Sequence, residues 1–251
     1  MSIQKTTCLE MTVTALQQRW GWKALYKPNS VAARIVPHIS TGFASLDAAL
    51  GIGGLARGRV SELVGPASSG KTTLALQFLS QAQANGAAVG YVDQARSFDP
   101  EYAHHCGLDL TRLFIAAPYD LQETLAITEA LAGSGELTAL AVDSLETLWE
   151  DAAGSQQLAA CLDRLVALLS HSATVLLFLH APQIHGSPAS YALAHHATTR
   201  LCVVSEQWLR RHGDTYGYKA QIEVQKNRLG PAGQLINLAI EFNSPMHGSS
   251  I

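Results

Sequence analysis

Gly65-Pro66-Ala67-Ser68-Ser69-Gly70-Lys71-Thr72 follows an apolar run at 60–64 and opens a helical pattern that continues to residue 84. The stretch fits G-x-x-x-x-G-K-[ST], and a strand before it with a helix after it is the context that gives this pattern a mechanism. Small residues let the backbone curl so that consecutive N–H groups face phosphate oxygens, and the positive end of the next helix adds to the attraction. On this reading Gly65, Pro66, Ala67, Ser68, Ser69 and Gly70 form a cradle for the phosphates of a nucleoside triphosphate. Lys71 reaches the terminal phosphates, and the Thr72 hydroxyl is a ligand for Mg2+.

Outward from this loop, short apolar runs alternate with helical ones: 60–64, 72–84, 88–92, 100–105, 113–116, 121–132, 139–142, 156–169 and 175–179. Each strand is continuously apolar, as in a sheet covered on both faces. An α/β fold with a mainly parallel central sheet and helices on both faces is therefore expected. Beyond residue 200, runs at 201–204, 218–224 and 238–242 are separated by Arg211-His212-Gly213-Asp214 and Gly230-Pro231-Ala232-Gly233. These turns predict an antiparallel extension at the C-terminal edge.

A Mg2+ ion bound by one hydroxyl needs more oxygen ligands, often through water, from a carboxylate on a neighbouring strand. Asp143 ends the run Leu140-Ala141-Val142 and so emerges at the carboxyl edge of the sheet, where ligands bind in open α/β folds. Alone it would read as a turn cap; beside the phosphate loop it reads as the second metal residue. Gly51-Ile52-Gly53-Gly54-Leu55-Ala56 fits a dinucleotide fingerprint, but it precedes the first core strand, so a turn is expected there.

The 251 residues are 47% hydrophobic and 15% charged, a composition that suits one globular domain with at most a short appendage. A net charge of -3 excludes a protein that works mainly as a polycation, leaving nucleic acid only a local basic face. No stretch reaches about 18 consecutive apolar residues, and no basic segment leads into an apolar one at the amino terminus. A soluble, cytoplasmic protein without membrane contact is expected. Cys8, Cys106, Cys161 and Cys202 have no short-spaced pair, which supports neither a disulfide framework nor a zinc site. The doublets His104-His105 and His195-His196 point in different directions and make poor chelators. Val13, Leu16 and Trp20 have helical spacing over 11–22, in a segment where Lys5, Arg19, Lys23, Lys27 and Arg34 face only Glu10, and Lys27-Pro28-Asn29 breaks the pattern. The expected organisation is a helical arm at 1–37, a core at 38–243 and a frayed tail at 244–251.

Over about 14–243 the chain resembles the bacterial RecA recombinases. The resemblance rests on Ile39-Ser40-Thr41-Gly42 with Ser45-Leu46-Asp47, Gly53-Gly54-Leu55, Gly65 through Thr73, Asp99-Pro100 with Tyr102-Ala103, Val142-Asp143-Ser144 and Lys226-Asn227-Arg228. A phosphate loop alone indicates only an NTPase; the ordered series is far more specific. It implies a RecA-like P-loop core with ATP and Mg2+ as ligands, Thr73 within the extended loop, and Asp99 and Tyr102 near the adenine, where the Tyr102 ring offers a stacking face. It also implies that Lys226 and Arg228 enter the ATP site of an adjacent subunit and stabilise charge on the γ-phosphate. Without the family those two would read as an exposed basic turn. The arm resembles the segment that packs on a neighbouring protomer, so self-association or binding of a related subunit is implied.

Three departures from the family shape the functional reading. The position of the water-polarising glutamate, within Val92-Asp93-Gln94-Ala95-Arg96, is Ala95, and a methyl group cannot orient water. Asp93 and Gln94 are displaced alternatives, but catalytic geometry tolerates little displacement. Where the family carries a glutamine sensor this chain has His180-Ala181-Pro182, with His180 either a replacement sensor or a satisfied structural residue. The first DNA-binding loop is missing, and 183–192, with His185, Gly186 and Ser187, is a reduced second loop without a cation at neutral pH. Strong single-stranded DNA binding by the usual path is therefore not expected. Arg200, Arg210, Arg211 and Trp208 form either a substitute surface or an ordinary solvated loop.

The favoured expectation is an ATP-binding accessory factor of DNA repair or damage tolerance, of SOS or translesion type, with weak or absent hydrolysis. It resembles in this the ImuA-type proteins that accompany mutagenic polymerases. Its partner would be a RecA-like or polymerase protein, with at most weak single-stranded DNA contact. The alternatives are a minimal recombinase that forms filaments on single-stranded DNA, and a regulatory ATPase unconnected to DNA.

Overall fold

The computed structural model describes residues 2–21, 36–145, 152–182, 188–211 and 214–246. The chain divides into two units, Met1–Ile35 and Val36–Ile251. The first contains helix α1 (Ser2–Trp20), which starts well before the helical pattern read at 11–22. Inside it, the Thr12 and Thr14 hydroxyls donate to the carbonyls of Cys8 and Glu10, four residues back, which satisfies the hydroxyls within the helix at a small cost to its backbone bonds. The expected break at Lys27-Pro28-Asn29 lies outside the described residues.

The second unit begins with a short antiparallel pair, β1 (His38–Ile39) and β2 (Leu55–Ala56), which brackets helix α2 (Ala44–Leu50). Gly51 ends α2 at φ 76°, and Gly54 passes so close to β1 that a Cβ there would lie 2.0 Å from the Ile39 carbonyl oxygen. The glycines of 51–56 thus serve a turn and a close backbone approach, as expected. Asp47 ties the segment together by accepting from the Ser40 hydroxyl and the Thr41 amide.

The core strands are β3 (Arg59–Val64), β4 (Ala88–Asp93), β5 (Leu113–Ala116), β6 (Leu137–Asp143), β7 (Val175–His180), β8 (Thr199–Arg211), β9 (Asp214–Asn227) and β10 (Leu235–Met246). Their order across the sheet is β10-β9-β8-β3-β7-β6-β4-β5. All pairings from β8 to β5 are parallel, while β8–β9 and β9–β10 are antiparallel. Helices α3 (Lys71–Ala82) and α4 (Pro100–His105), with α2, cover one face; α5 (Leu121–Gly133), α6 (Ala152–Leu169) and α7 (Pro188–His196) cover the other. β4, β6 and β7 are buried almost throughout, which is why they read as unbroken apolar runs.

Two expectations need correction. The last three strands are far longer than the runs at 201–204, 218–224 and 238–242, because one face of the antiparallel part is exposed and polar there, at Gln207, Lys219, Asn237 and Glu241. β10 also continues into the stretch expected as tail, ending at Met246; 247–251 lie outside the described residues. Of the reduced loop expected at 183–192, residues 183–187, including His185, Gly186 and Ser187, lie outside the described residues, and the remainder belongs to α7. All four cysteines are free, and Cys106 and Cys161 are buried. Among the described residues no helix is long and apolar enough to cross a membrane.

Candidate nucleotide site

The loop from Gly65 to Gly70 joins β3 to α3 at the carboxyl edge of the parallel strands. Its curl needs backbone conformations that side chains disfavour: Ser68 has φ 58° and Gly70 φ 85°. A Cβ on Gly65 would lie 2.4 Å from Ser69 Oγ and 3.1 Å from Val203 Cβ, so a larger residue there would displace the Ser69 side chain. At the other end, Tyr218 of β9 packs against Gly70 and donates its hydroxyl to the Gly70 carbonyl at 3.2 Å. The antiparallel half of the sheet thus supports the loop that the parallel half presents.

Lys71 is 8% exposed, and its ammonium curls back to donate to the carbonyls of Gly65 and Pro66 at 2.8 Å each. The first-turn amides of α3 have no partner within the helix, and the positive end of the helix points the same way. Ser69 Oγ is buried without a hydrogen-bond partner. The first-turn amides, the buried unpaired hydroxyl of Ser69 and an ammonium converge on one curled loop, a donor set that fits a polyphosphate.

Beside this loop, the Thr72 hydroxyl donates to Asp143 Oδ2 at 2.8 Å. The structure therefore brings together the two residues read as the metal pair, although Asp143 ends β6 and is separated from β3 by β7. Their oxygens are hard ligands of the kind Mg2+ takes. A third residue that sequence reasoning missed, Tyr91, donates its phenol to the same Oδ2 at 2.6 Å. Burial, reinforced by the charge of Asp143, pushes the Tyr91 phenol above its ordinary range, so it stays a neutral donor.

Tyr102 lies beside the loop, its hydroxyl hydrogen-bonded to Thr73 Oγ1. Asp99 caps α4, accepting from the amides of Glu101 at 2.9 Å and Tyr102 at 3.1 Å. It therefore fixes the turn that carries Tyr102. Ala95 sits at the same edge: its amide and that of Gln94 donate to the Asp143 carbonyl, at 3.3 and 2.7 Å. Asp93 is 5% exposed, and its two carboxylate oxygens accept from the Ser97 and Phe98 amides at 3.0 and 2.9 Å.

Lys226 and Arg228 are not brought to the loop of their own chain. Both donate to the carbonyls that end α7, Lys226 to Ala194 and His195 and Arg228 to His195, where the helix dipole favours cations. Burial, then the neighbouring Arg228, holds Lys226 below the ordinary lysine range. On the same face Glu62 is fully buried, with Oε2 3.0 Å from His180 Nε2 and 2.9 Å from both Arg200 Nε and Nη2. His180 Nδ1 lies 2.9 Å from the Ala181 carbonyl oxygen. Of the two readings open for His180, a satisfied structural residue matches this geometry. Arg200 is likewise held by an ion pair, and Arg210 and Trp208 lie on the long β8 strand, not in a loop.

A family model of the RecA N-terminal domain matches residues 7–247. The chain belongs to the RecA family. It is 33% identical to Protein RecA of Chlorobium limicola over 273 residues, covering 93% of this chain and 78% of that one. It is 32% identical to Protein RecA of Rhizobium rhizogenes over 263 residues, covering 96% and 73%. Among solved structures it is similar to the RadB recombinase, with a TM-score of 0.62 and 25% identity over 79% of this chain and 94% of that one. Membership of the RecA family accounts for the mainly parallel sheet with its antiparallel edge.

Proposed function

We propose that this RecA-family chain binds ATP with Mg2+ and serves DNA repair or damage tolerance as an accessory factor, with nucleotide acting as a structural ligand or switch. In this reading Gly65 to Gly70 and the α3 amides hold the phosphates, Lys71 meets the terminal phosphates, Thr72 and Asp143 hold Mg2+, and Tyr102 lies along the adenine. Lys226 and Arg228 serve an adjacent protomer or a related subunit, consistent with their position on the α7 face. The arm at 1–37 is the matching contact segment, and the partner is a second copy, another RecA-like protein or a polymerase.

The observation that carries the reading is Ala95. Its amide bonds to the Asp143 carbonyl, so the residue stands beside the metal pair, yet its side chain is a methyl. The nearby Asp93 carboxylate is engaged by two backbone amides. Among the described residues nothing at that point supplies the oriented carboxylate that a water attack on the γ-phosphate needs.

The test is steady-state ATP turnover by the purified protein, with and without single-stranded DNA, beside equilibrium binding of ATP. Tight Mg2+-dependent binding with very slow turnover is expected. Turnover comparable to that of an active recombinase and abolished in Lys71→Ala, with filaments forming on single-stranded DNA, would instead establish a minimal recombinase. Binding and turnover with no DNA effect and no repair partner would point to a regulatory ATPase outside DNA metabolism.

A further inference from the structure

Tyr91 is a buried aromatic in the middle of β4, on the face covered by α3, with the Phe98 ring 5.1 Å away. A buried tyrosine must find a partner for its hydroxyl. Here that partner is the carboxylate read as a metal residue: Tyr91 donates to Asp143 Oδ2 at 2.6 Å, and Thr72 donates to the same oxygen at 2.8 Å. Three oxygens from β4, α3 and β6 therefore meet at one point beneath the phosphate loop.

A carboxylate at the end of a strand can rotate about its terminal bond, and a metal pays for any ordering of its ligands when it binds. Two donors from different elements fix the plane of the Asp143 carboxylate in advance. Thr72 alone is one donor and is itself a candidate ligand. Tyr91 reaches the carboxylate from beneath, on a strand rigidly hydrogen-bonded to β6 through Tyr91↔Ala141 and Asp93↔Asp143. It is thus a scaffold for the acidic residue.

We infer that Tyr91 is a positioning residue of the nucleotide site: its hydroxyl holds the Asp143 carboxylate in the orientation that couples Mg2+ to nucleotide binding. This inference rests on the nucleotide reading above. A purely space-filling role would need only the ring, so Tyr91→Phe separates the two, because it removes one oxygen and keeps the shape.

The experiment titrates a fluorescent ATP analogue onto the whole chain, first in EDTA and then at increasing Mg2+, for the wild type and Tyr91→Phe. Metal-free affinity should stay the same, while the Mg2+ concentration for half-maximal binding should rise about tenfold, the scale of one hydrogen bond to a charged group. In an Asp143→Asn background the same change should have almost no further effect. An unchanged or lowered midpoint, or full additivity with Asp143→Asn, overturns the inference and leaves the nucleotide reading standing. A wild type that binds the analogue neither in EDTA nor in Mg2+ overturns both. If Tyr91→Phe is too unstable to titrate, Tyr91→Met, which also lacks the hydroxyl but packs adaptably, is read against the same outcomes.

Discussion

On the α3 face of the sheet, the hydrogen bonds described for the carboxylates of Asp143 and Asp93 come from neutral donors: Thr72 and Tyr91 for the first, the amides of Ser97 and Phe98 for the second. On the α7 face, the carboxylate of Glu62 meets Arg200 and lies against His180. All three acids are almost completely buried. Burial therefore does not distinguish a ligand site from a structural pair; the charge of the partners does. A carboxylate oriented by neutral groups has no cation beside it to compete with a hard metal ion, whereas Glu62 already has the Arg200 guanidinium on Oε2, although its Oε1 is buried without a hydrogen-bond partner.

The largest effect should come from opening the closed pair. Glu62→Gln leaves Arg200 and His180 without their anion, and removing one partner of a buried ion pair costs about 3–5 kcal/mol. That is a large share of the stability of a domain. Urea unfolding should register the loss, while nucleotide affinity of the folded fraction should fall far less than stability, because Glu62 touches the loop indirectly, through His180, whose carbonyl accepts from the Gly65 amide at 3.2 Å. A Glu62 variant of normal stability that no longer binds ATP would erase the contrast between the two faces.

The open face responds in the opposite sense. Lys71→Ala removes the only cation on the loop and should weaken ATP binding about a hundredfold, the scale of charged hydrogen bonds to phosphate. Its unfolding midpoint should change little, because the bonds that Lys71 donates to the carbonyls of Gly65 and Pro66 stay within the loop itself. Isothermal titration alongside urea unfolding would distinguish the two variants. Equal losses in both measurements for both residues would mean that the faces form a single unit.

The open face was largely legible in the sequence and the closed one was not. Lys71, Thr72 and the glycines lie in one contiguous motif, and Asp143 is marked by its place at the end of an apolar run. Glu62 is joined to residues more than a hundred positions away, and periodicity carries no information about which distant strand becomes a neighbour. Within Val60-Ser61-Glu62-Leu63-Val64 it looks like one polar interruption of a strand. Tyr91 was hidden for a different reason: inside an apolar strand an aromatic reads as core, which its ring is, and only the position of its hydroxyl makes it part of the site. Two short helices could have been found. α2 ends at Gly51 in the left-handed conformation and α7 begins at Pro188, both standard boundary signals that the surrounding polar residues obscured.

Asp99 gives the smallest effect and the finest distinction, because it stands between the two kinds of acid. Its neutral partners are the amides of Glu101 and Tyr102, as on the open face, yet those bonds form a helix cap, which is a structural role. Asp99→Ala should cost about 1 kcal/mol and lower the melting temperature by a few degrees, as caps do. Asp99→Asn keeps an equally good capping oxygen and removes the charge, so the two roles come apart. If Asp99 acts only by holding the turn that presents Tyr102, Asn restores both the melting temperature and the ATP affinity. If the carboxylate itself meets the nucleotide, Asn restores the melting temperature alone, and competition between ATP and other nucleoside triphosphates shows the change in base preference. The neutral-donor rule would then hold for a base-reading acid as well as for a metal-binding one.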